Sequence, residues 1–427
     1  VIFTELLYIG AGVIALLVAA VFIAYEVLYP HYDKNNGTVL ETQGKVVYVK
    51  NPGGTPYLMK TDANGEVLDT DFKIVTSTDL HAHSENSGLS FGALSRFLDM
   101  EKPDLVILLG DNVVGHTDDE YQKKMIRFFE ERKQYYGFVL GNHDPEKRIR
   151  EATAMRAMDA HTSVEELPVE MRKEIVKAGR KWAFETQAAS PYCIVFDEDP
   201  SLQGAGTCAV NIRNSHKITQ SLFFFDSGDY VLGLKRKDYG TEKRCYGNIT
   251  KEQLLWYERR LREITEENHG DRPKSMAFFH IPFPEYYDAF REARLHRNGT
   301  KRIFGTNFEK PCSGDVNEGA FETMLKNGST RICVCGHDHK NDSVIRYRGI
   351  TLMYSMGLPF DGAYNRHKKS RVRKLLYRIS PKLNTFSEGV SVFRVEETGR
   401  VEIHARYAHD IDAYRGLERY FKSAYFM

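Results

Sequence analysis

At 427 residues with 42% apolar side chains, the chain can bury a large core, either as two or three domains or as one sandwich with insertions. Lys plus Arg at 59 against Asp plus Glu at 58 leaves a formal charge of +1, which argues against nucleic acid as the main partner. Six cysteines are too sparse for a disulfide scaffold. In chain order, the first feature is Leu6 to Tyr25, an uncharged apolar run that at the helical rise spans roughly 30 Å, the thickness of a bilayer core. No basic residue precedes it, as a cleaved signal peptide requires, so residues 1–30 read as a single transmembrane anchor. Lys34, Lys45 and Lys50 after the run favour a cytoplasmic domain. The Asn-x-Ser/Thr sequons at Asn36, Asn248, Asn298, Asn327 and Asn341 favour the opposite side. The expectation is a single-pass membrane protein with an extracytoplasmic catalytic domain, a cytoplasmic one being the alternative.

Residues 31–70 are rich in Gly, Asn, Asp and Pro around the alternating GKVVYVK and read as a linker with a small hairpin. Apolar runs too short for helices then recur, each ending in a polar stretch. KIVTST leads to Asp79-Leu80-His81, DLVILL to Gly110-Asp111-Asn112, and YGFVL to Gly141-Asn142-His143-Asp144. Between them GALSRFLDMEKPD, stopping at Pro103, and Glu120 to Tyr136 have helical spacing. Strand, helix, strand, helix implies parallel pairing with crossovers, and parallel strands gather Asp79, Asp111 and His143 at one sheet edge. Residues 146–186 are charged and helix-favouring, and read as a helical insertion lying over or beside the site.

PYCIVF, TCAVNI and SLFFFDSG read as antiparallel strands of a second sheet, and Cys193 and Cys208 flank a hairpin-like stretch, candidates for a disulfide if the domain lies outside the cytoplasm. Thr250 to Gln253 is a capping box opening an amphipathic helix that ends near Gly270. SMAFF then presents His280, with Pro282 and Pro284 stopping the strand, and RICVC leads to Gly336-His337-Asp338-His339. Period two puts both imidazoles on one side, with Gly336 permitting the turn, and the alternating Cys333 and Cys335 read as small core residues. Arg366 to Lys382 is a basic cluster, either a solvated face or a rim that contacts anionic substrate or lipid. GVSVFRVE and RVEIHARYA are alternating strands expected to close the second sheet, and residues 411–427 have the spacing of a helical tail.

Asp can bridge, His supplies nitrogen and Asn a neutral oxygen, so the strand-end residues suit two adjacent ions of intermediate hardness. Such a pair lowers the pKa of a bridging water until hydroxide exists near neutrality, and it holds phosphate oxygens for in-line attack. His143 is then the candidate general acid or charge stabiliser. Asp144 is read as orienting its ring or capping the next turn, Asn112 as a hydrogen-bond donor to phosphate, and Asp338 as a loop or outer-layer residue. His83 and His116 lie close enough in sequence to touch substrate.

The order and spelling of these motifs, with His280-Ile281-Pro282-Phe283-Pro284-Glu285-Tyr286, Gly336 through Asp342 and Asp226-Ser227-Gly228, resemble the calcineurin-like metallophosphoesterase family. The likeness runs from about Phe72 to about Ala408 and is nearest the branch around the purple acid phosphatases. It implies a four-layer αββα sandwich over residues 71–410. Carried over position by position, it implies that Asp79, His81, Asp111 and His339 hold one metal, that Asp111 bridges, and that Asn142, His280 and His337 complete the other. His143 is then the imidazole facing the phosphate. Purple acid phosphatases proper place a metal-binding tyrosine where this chain has Val114, and they lack a histidine at the position of His81. A Mn, Fe or Zn pair is therefore expected instead of a ferric-tyrosinate centre. The resulting expectation is a membrane-anchored binuclear phosphoesterase, a phosphomonoesterase by its nearest branch. The alternatives are a phosphodiesterase for nucleotides or lipid head groups and a catalytically idle membrane-bound interaction module.

Overall fold

The structure is a computed structural model that describes residues 12, 14–19, 42–83, 87–114, 118–238, 241–358, 388–408 and 411. From residue 42 on, the described elements begin with strands β1 (Lys45–Val49) and β2 (Tyr57–Thr61), followed by β3 (Phe72–Ser77), helix α1 (Ser87–Glu101), β4 (Leu105–Leu108), α2 (Asp118–Arg132) and β5 (Tyr136–Phe138). Helices α3 (Glu146–Asp159) and α4 (Val169–Gln187) precede β6 (Cys208–Arg213), β7 (Ile218–Phe224) and the hairpin β8 (Tyr230–Asp238) and β9 (Thr241–Tyr246). Then come α5 (Lys251–Glu267), β10 (Ser275–Phe278), α6 (Glu285–Arg294), β11 (Lys301–Phe304), α7 (Ala320–Asn327), β12 (Thr330–Cys335), β13 (Val344–Tyr347), β14 (Ile350–Tyr354), β15 (Gly389–Val395) and β16 (Val401–Tyr407).

The strands form a nine-stranded sheet in the order β1-β2-β6-β7-β10-β12-β14-β13-β11 and a five-stranded sheet in the order β16-β15-β3-β4-β5, with β8 and β9 paired separately. Period-two alternation explains how these sheets pack. On β5, Tyr136 stacks on Phe129 of α2, while Gly137, one residue on, faces Phe224 of β7 across the inter-sheet space. Thr76 of β3 reaches across the same space to Ser355, with their hydroxyls 2.8 Å apart. On the other sheet Phe224 stacks on Phe278 inside, while Phe223 and Phe225 pack edge-on or tilted against Trp256 and Tyr257 of α5. One core thus joins the two sheets, and a second joins the nine-stranded sheet to α5, α6 and α7.

All five apolar runs that precede the polar stretches are strands, and β3, β4 and β5 pair in parallel. The capping box is formed: Gln253 N donates to Thr250 Oγ1 and Thr250 N donates to Gln253 Oε1. Pro168 divides the helical insertion into α3 and α4, and Cys333 and Cys335 are buried on the outer face of β12.

Several expectations are corrected. PYCIVF contributes only an isolated bridge from Cys193 to Tyr136, and Cys193 and Cys208 are free thiols. β15 and β16 extend the five-stranded sheet, β15 lying antiparallel to β3. Alternation reveals which face of a strand is buried, but not which neighbour its edge will meet. The β1–β2 hairpin is itself an edge of the large sheet, since β2 pairs with β6. The transmembrane anchor and single-pass localisation are not upheld, because no helix among the described residues is long and apolar enough to cross a membrane. Most of Leu6 to Tyr25 lies outside the described residues, as do the basic cluster Arg366 to Lys382, His116 and all but Ile411 of the proposed tail.

Candidate metal centre

The site begins with two parallel strands that end side by side. Ile74 to Ser77 of β3 pair with Leu105 to Leu108 of β4, and beyond the strand tips the two backbones continue to bond. Asp79 N donates to Gly110 O, His81 N to Asp111 O and Ala82 N to Asn112 O, each at 2.9 Å. Asp79, His81 and Asp111 adopt left-handed backbone angles, with φ of 50°, 44° and 50°. A non-glycine residue there costs on the order of 1–3 kcal/mol, and such strain persists where surrounding contacts over-determine it.

Asp79, His81, Asp111 and His339 converge so that one ligand atom from each lies within 4.8 Å of the others, and Asp111, His280 and His337 form a second such group. Asp111 belongs to both. His339 Nε2 stands 3.1 Å from Asp79 Oδ1, and His81 Nε2 is 3.7 Å from both Asp79 Oδ1 and Asp111 Oδ2. In the second group His280 Nε2 is 3.3 Å from Asp111 Oδ2 and 3.3 Å from His337 Nδ1.

The supports fix which atoms face inward. His280 Nδ1 bonds the Leu109 carbonyl at 2.7 Å, which assigns its proton and leaves Nε2 toward the centre. Asp79 Oδ2 accepts from Thr78 Oγ1 at 2.7 Å and His337 N at 3.0 Å, so Oδ1 is the oxygen directed at the imidazoles. Burial would raise the Asp79 pKa, but His339 and His81 outweigh it and hold the carboxyl well below its ordinary range. Burial and the neighbouring His280 push His337 down to about 3, leaving a neutral imidazole. Asn142 turns its amide nitrogen to the Tyr230 hydroxyl at 3.4 Å, while its Oδ1 is buried with no hydrogen-bond partner among the described residues.

His143 sits beside the first group, its ring 5.4 Å from that of His81. Burial alone would lower its pKa, but Asp111 and Glu146 overcome this and raise it to about 9. The contact with Glu146, Nδ1 to Oε2 at 3.1 Å, was missed from the sequence. A carboxylate three residues on, in the first turn of a helix, was the signal available.

Three site expectations change, those for Asp144, Asn112 and Gly336. The Asp144 carboxylate does not touch the His143 ring; it accepts from the backbone N–H groups of Gly141 (2.7 Å), Asp111 (3.0 Å), Asn112 (3.0 Å) and Val113 (3.2 Å). It clamps the two loops together, and with its oxygens occupied by four donors it has none left for the imidazole. Asn112 is fully buried, its side chain having no partner among the described residues, so it presents no surface to a phosphate. Asp338 has a loop role, accepting from Tyr354 Oη at 2.7 Å and from Cys312 N at 3.1 Å. The left-handed residue at the last turn is His337, with φ of 74°, not Gly336. Gly336 is needed for space, since a Cβ there would lie 2.0 Å from Thr78 Oγ1. The Asn341 sequon is also shut off, because its side chain is buried and accepts from Glu309 N.

A family model for the calcineurin-like phosphoesterases matches residues 72–341, well over half of the chain. The chain belongs to the calcineurin-like phosphoesterase family. It is similar to "Probable inactive purple acid phosphatase 28" of Arabidopsis thaliana, 26% identical over 294 residues that make up 65% of this chain and 64% of that protein. "Probable inactive purple acid phosphatase 29" from the same plant is 25% identical over 68% of each chain. "Phosphatase DCR2" of Saccharomyces cerevisiae is 25% identical over 59% of this chain and 39% of that protein. The chain thus spans about two thirds of the plant relatives and less of the yeast one. Calcineurin-like phosphoesterases use a binuclear metal centre, and Asp79, His81, Asp111, His280, His337 and His339 are candidate ligands for it here.

Proposed function

We propose that this chain is a binuclear metal-dependent phosphomonoesterase. The observation that carries the reading is the sharing of Asp111 between two convergent ligand groups, which calls for two ions close enough for one carboxylate to bridge. The residues fit such a pair: two buried carboxylates, four imidazoles and the partnerless Asn142 Oδ1 form a mixed oxygen and nitrogen set suited to Mn, Fe or Zn. In the assignment we adopt, Asp79, His81, Asp111 and His339 would hold one ion, and Asp111, Asn142, His280 and His337 would hold the other. Bound there, two such cations would supply Lewis-acid polarisation of the phosphoryl group and an activated water.

The chain's own residues do the rest. His143, paired through Nδ1 with Glu146, gives a proton to the leaving oxygen and meets the charge that builds on the phosphoryl oxygens. Glu146, 3.1 Å from Nδ1, leaves Nε2 as the nitrogen that delivers that proton. Asp144 keeps the Asp111 and Asn142 loops in register through its four backbone donors.

A second reading is a catalytically idle member of the family, favoured by the word "inactive" in the names of the plant relatives. Hydrolysis of para-nitrophenyl phosphate and of its bis ester, measured after chelation and again with Mn(II) restored, separates the readings. We expect metal-dependent release from the monoester to exceed that from the diester. The reverse ratio makes the protein a phosphodiesterase, and no turnover of either ester alongside full metal content makes it an idle member.

A further inference from the structure

We propose that Arg180 is the positioning residue for the second ion, reaching Asn142 from beneath through the backbone of Gly141. The inference rests on the two-ion reading above and goes beyond it to a residue on α4, a helix that contributes no ligand.

Arg180 is 3% exposed. Its guanidinium makes two kinds of contact at once. On one side Nε and Nη2 meet both oxygens of Asp226, at 3.0 and 2.5 Å, a bidentate pairing that fixes the plane of the fork. On the other side Nη1 donates to Gly141 O at 3.0 Å and Nη2 to Leu140 O at 3.3 Å. These are the last two carbonyls before Asn142.

The Gly141 peptide is therefore gripped at both ends, its N–H by Asp144 and its carbonyl by Arg180. Its Cα is pressed so close to Asp111 that a Cβ would fall 2.0 Å from Asp111 Oδ1. The Gly141 carbonyl is separated from Asn142 Oδ1 only by the rigid peptide bond, the Asn142 backbone φ and the Asn side chain, so a shift of that carbonyl is felt at Oδ1. The same guanidinium lies 3.8 Å from Asp229, whose other oxygen accepts from Tyr230 N at 2.6 Å, and the Tyr230 hydroxyl receives the Asn142 amide. Arg180 thus anchors both the backbone that carries Asn142 and the tyrosine that orients its side chain. Its hydrogen bonds and ion pairs go to Asp226, Asp229, Leu140 and Gly141, and among the described residues they reach none of Asp79, His81 and His339, the ligands that belong to the first group alone. An outer partner of this kind typically changes metal affinity by about 10- to 100-fold.

The test is calorimetric titration of Mn(II) into the metal-free chain of residues 1–427, with ion stoichiometry checked by elemental analysis. Arg180→Lys keeps a positive charge beside Asp226, but a single ammonium lacks the fork that spans Asp226 and both carbonyls. We expect it to weaken one ion by roughly 10-fold or more and leave the other within about twofold. Arg180→Met with Asp226→Asn removes the bidentate pair together, leaves Asp229 as the one nearby carboxylate that loses a cation, and is expected to give the same split. Wild-type affinity for both ions in either folded variant overturns the proposal, as does equal weakening of both, which is what general loosening of the fold produces. Failure of both variants to fold overturns it too, since Arg180 would then serve the whole core. Binding of fewer than two ions by the unaltered chain is a separate result and sinks the two-ion reading instead.

Discussion

Asp79, His81 and Asp111 stand on two backbone segments that bond directly to one another beyond adjacent parallel strands. Asn142, His280 and His337 reach the neighbouring group from three separate segments, each held from a distance: Asn142 by Tyr230, His280 by the Leu109 carbonyl, and His337 by Asp79 and the edge of the Tyr246 ring. The first group is largely a product of strand pairing, with strain absorbed in three left-handed residues. The second depends on side chains delivered by the rest of the molecule. The difference teaches that three of the four ligands of the first group follow from strand pairing within one sheet, His339 arriving from the other, while the second group also leans on the insertion and the hairpin.

The largest test of that comparison is the residue common to both halves. Asp111→Asn removes the shared carboxylate charge, so both ions should weaken together by more than the roughly 100-fold expected of an outer partner. Esterase activity should fall to background. Retention of one ion at wild-type affinity, seen by elemental analysis after dialysis, breaks the claim that Asp111 bridges. Next in size, His81→Ala and His280→Ala should each lose one ion and keep the other, with complementary remaining sites. If either loses both, the two halves are not separable as described.

A smaller effect is expected where no ligand is touched. His143→Ala should lower kcat by about 10²- to 10⁴-fold with both ions retained. Glu146→Gln removes the charge that holds the imidazolium but leaves a hydrogen-bond partner, so its loss should be about tenfold at most. Loss of metal in His143→Ala makes His143 a ligand and redraws the first group.

How much of this was legible in the sequence follows the same division. The strand tips were visible because β-branched and aromatic runs stop abruptly at Asp, Gly-Asp and Gly-Asn-His, and a short buried strand has few other spellings. The partner of each strand was not, since β15 and β16 alternate cleanly yet join the first sheet, β15 against β3 and β16 against β15, and not the second. Arg180 lies among Arg172, Lys173, Lys177 and Lys181 on one charged helix, and nothing local marks it as the cation that is buried. Asp144 and Asp338 each adjoin a histidine of the site, yet both are spent on backbone and loop contacts. Sequence proximity cannot separate a carboxylate that faces an ion from one that ties down the loop carrying it. Hairpin β8–β9 was missed because its significance lies at its two ends, where Tyr230 and Tyr246 meet beside the second group.

The loop that carries His337 and His339 offers the finest test, because it is held by a side chain that titrates. Asp342 is buried; its Oδ1 accepts from Thr306 N at 2.7 Å and its Oδ2 lies 3.3 Å from the Tyr407 hydroxyl on β16. Burial raises its pKa to about 7, while the unfolded chain keeps the ordinary carboxylate value. Between about pH 4 and pH 7 the folded protein therefore holds a proton that the unfolded chain has released. Stability contributed by this group is fully present below the unfolded pKa and falls as pH rises toward 7, with a slope approaching about 1.4 kcal/mol per pH unit at most. Asp342→Asn has no proton to release and keeps an oxygen for Thr306, so its urea midpoint should vary less over that window while the two proteins converge near pH 4. An unchanged slope in the variant means Asp342 is ionised in the folded chain, and the loop is then held by charge as firmly as the first group is held by its backbone.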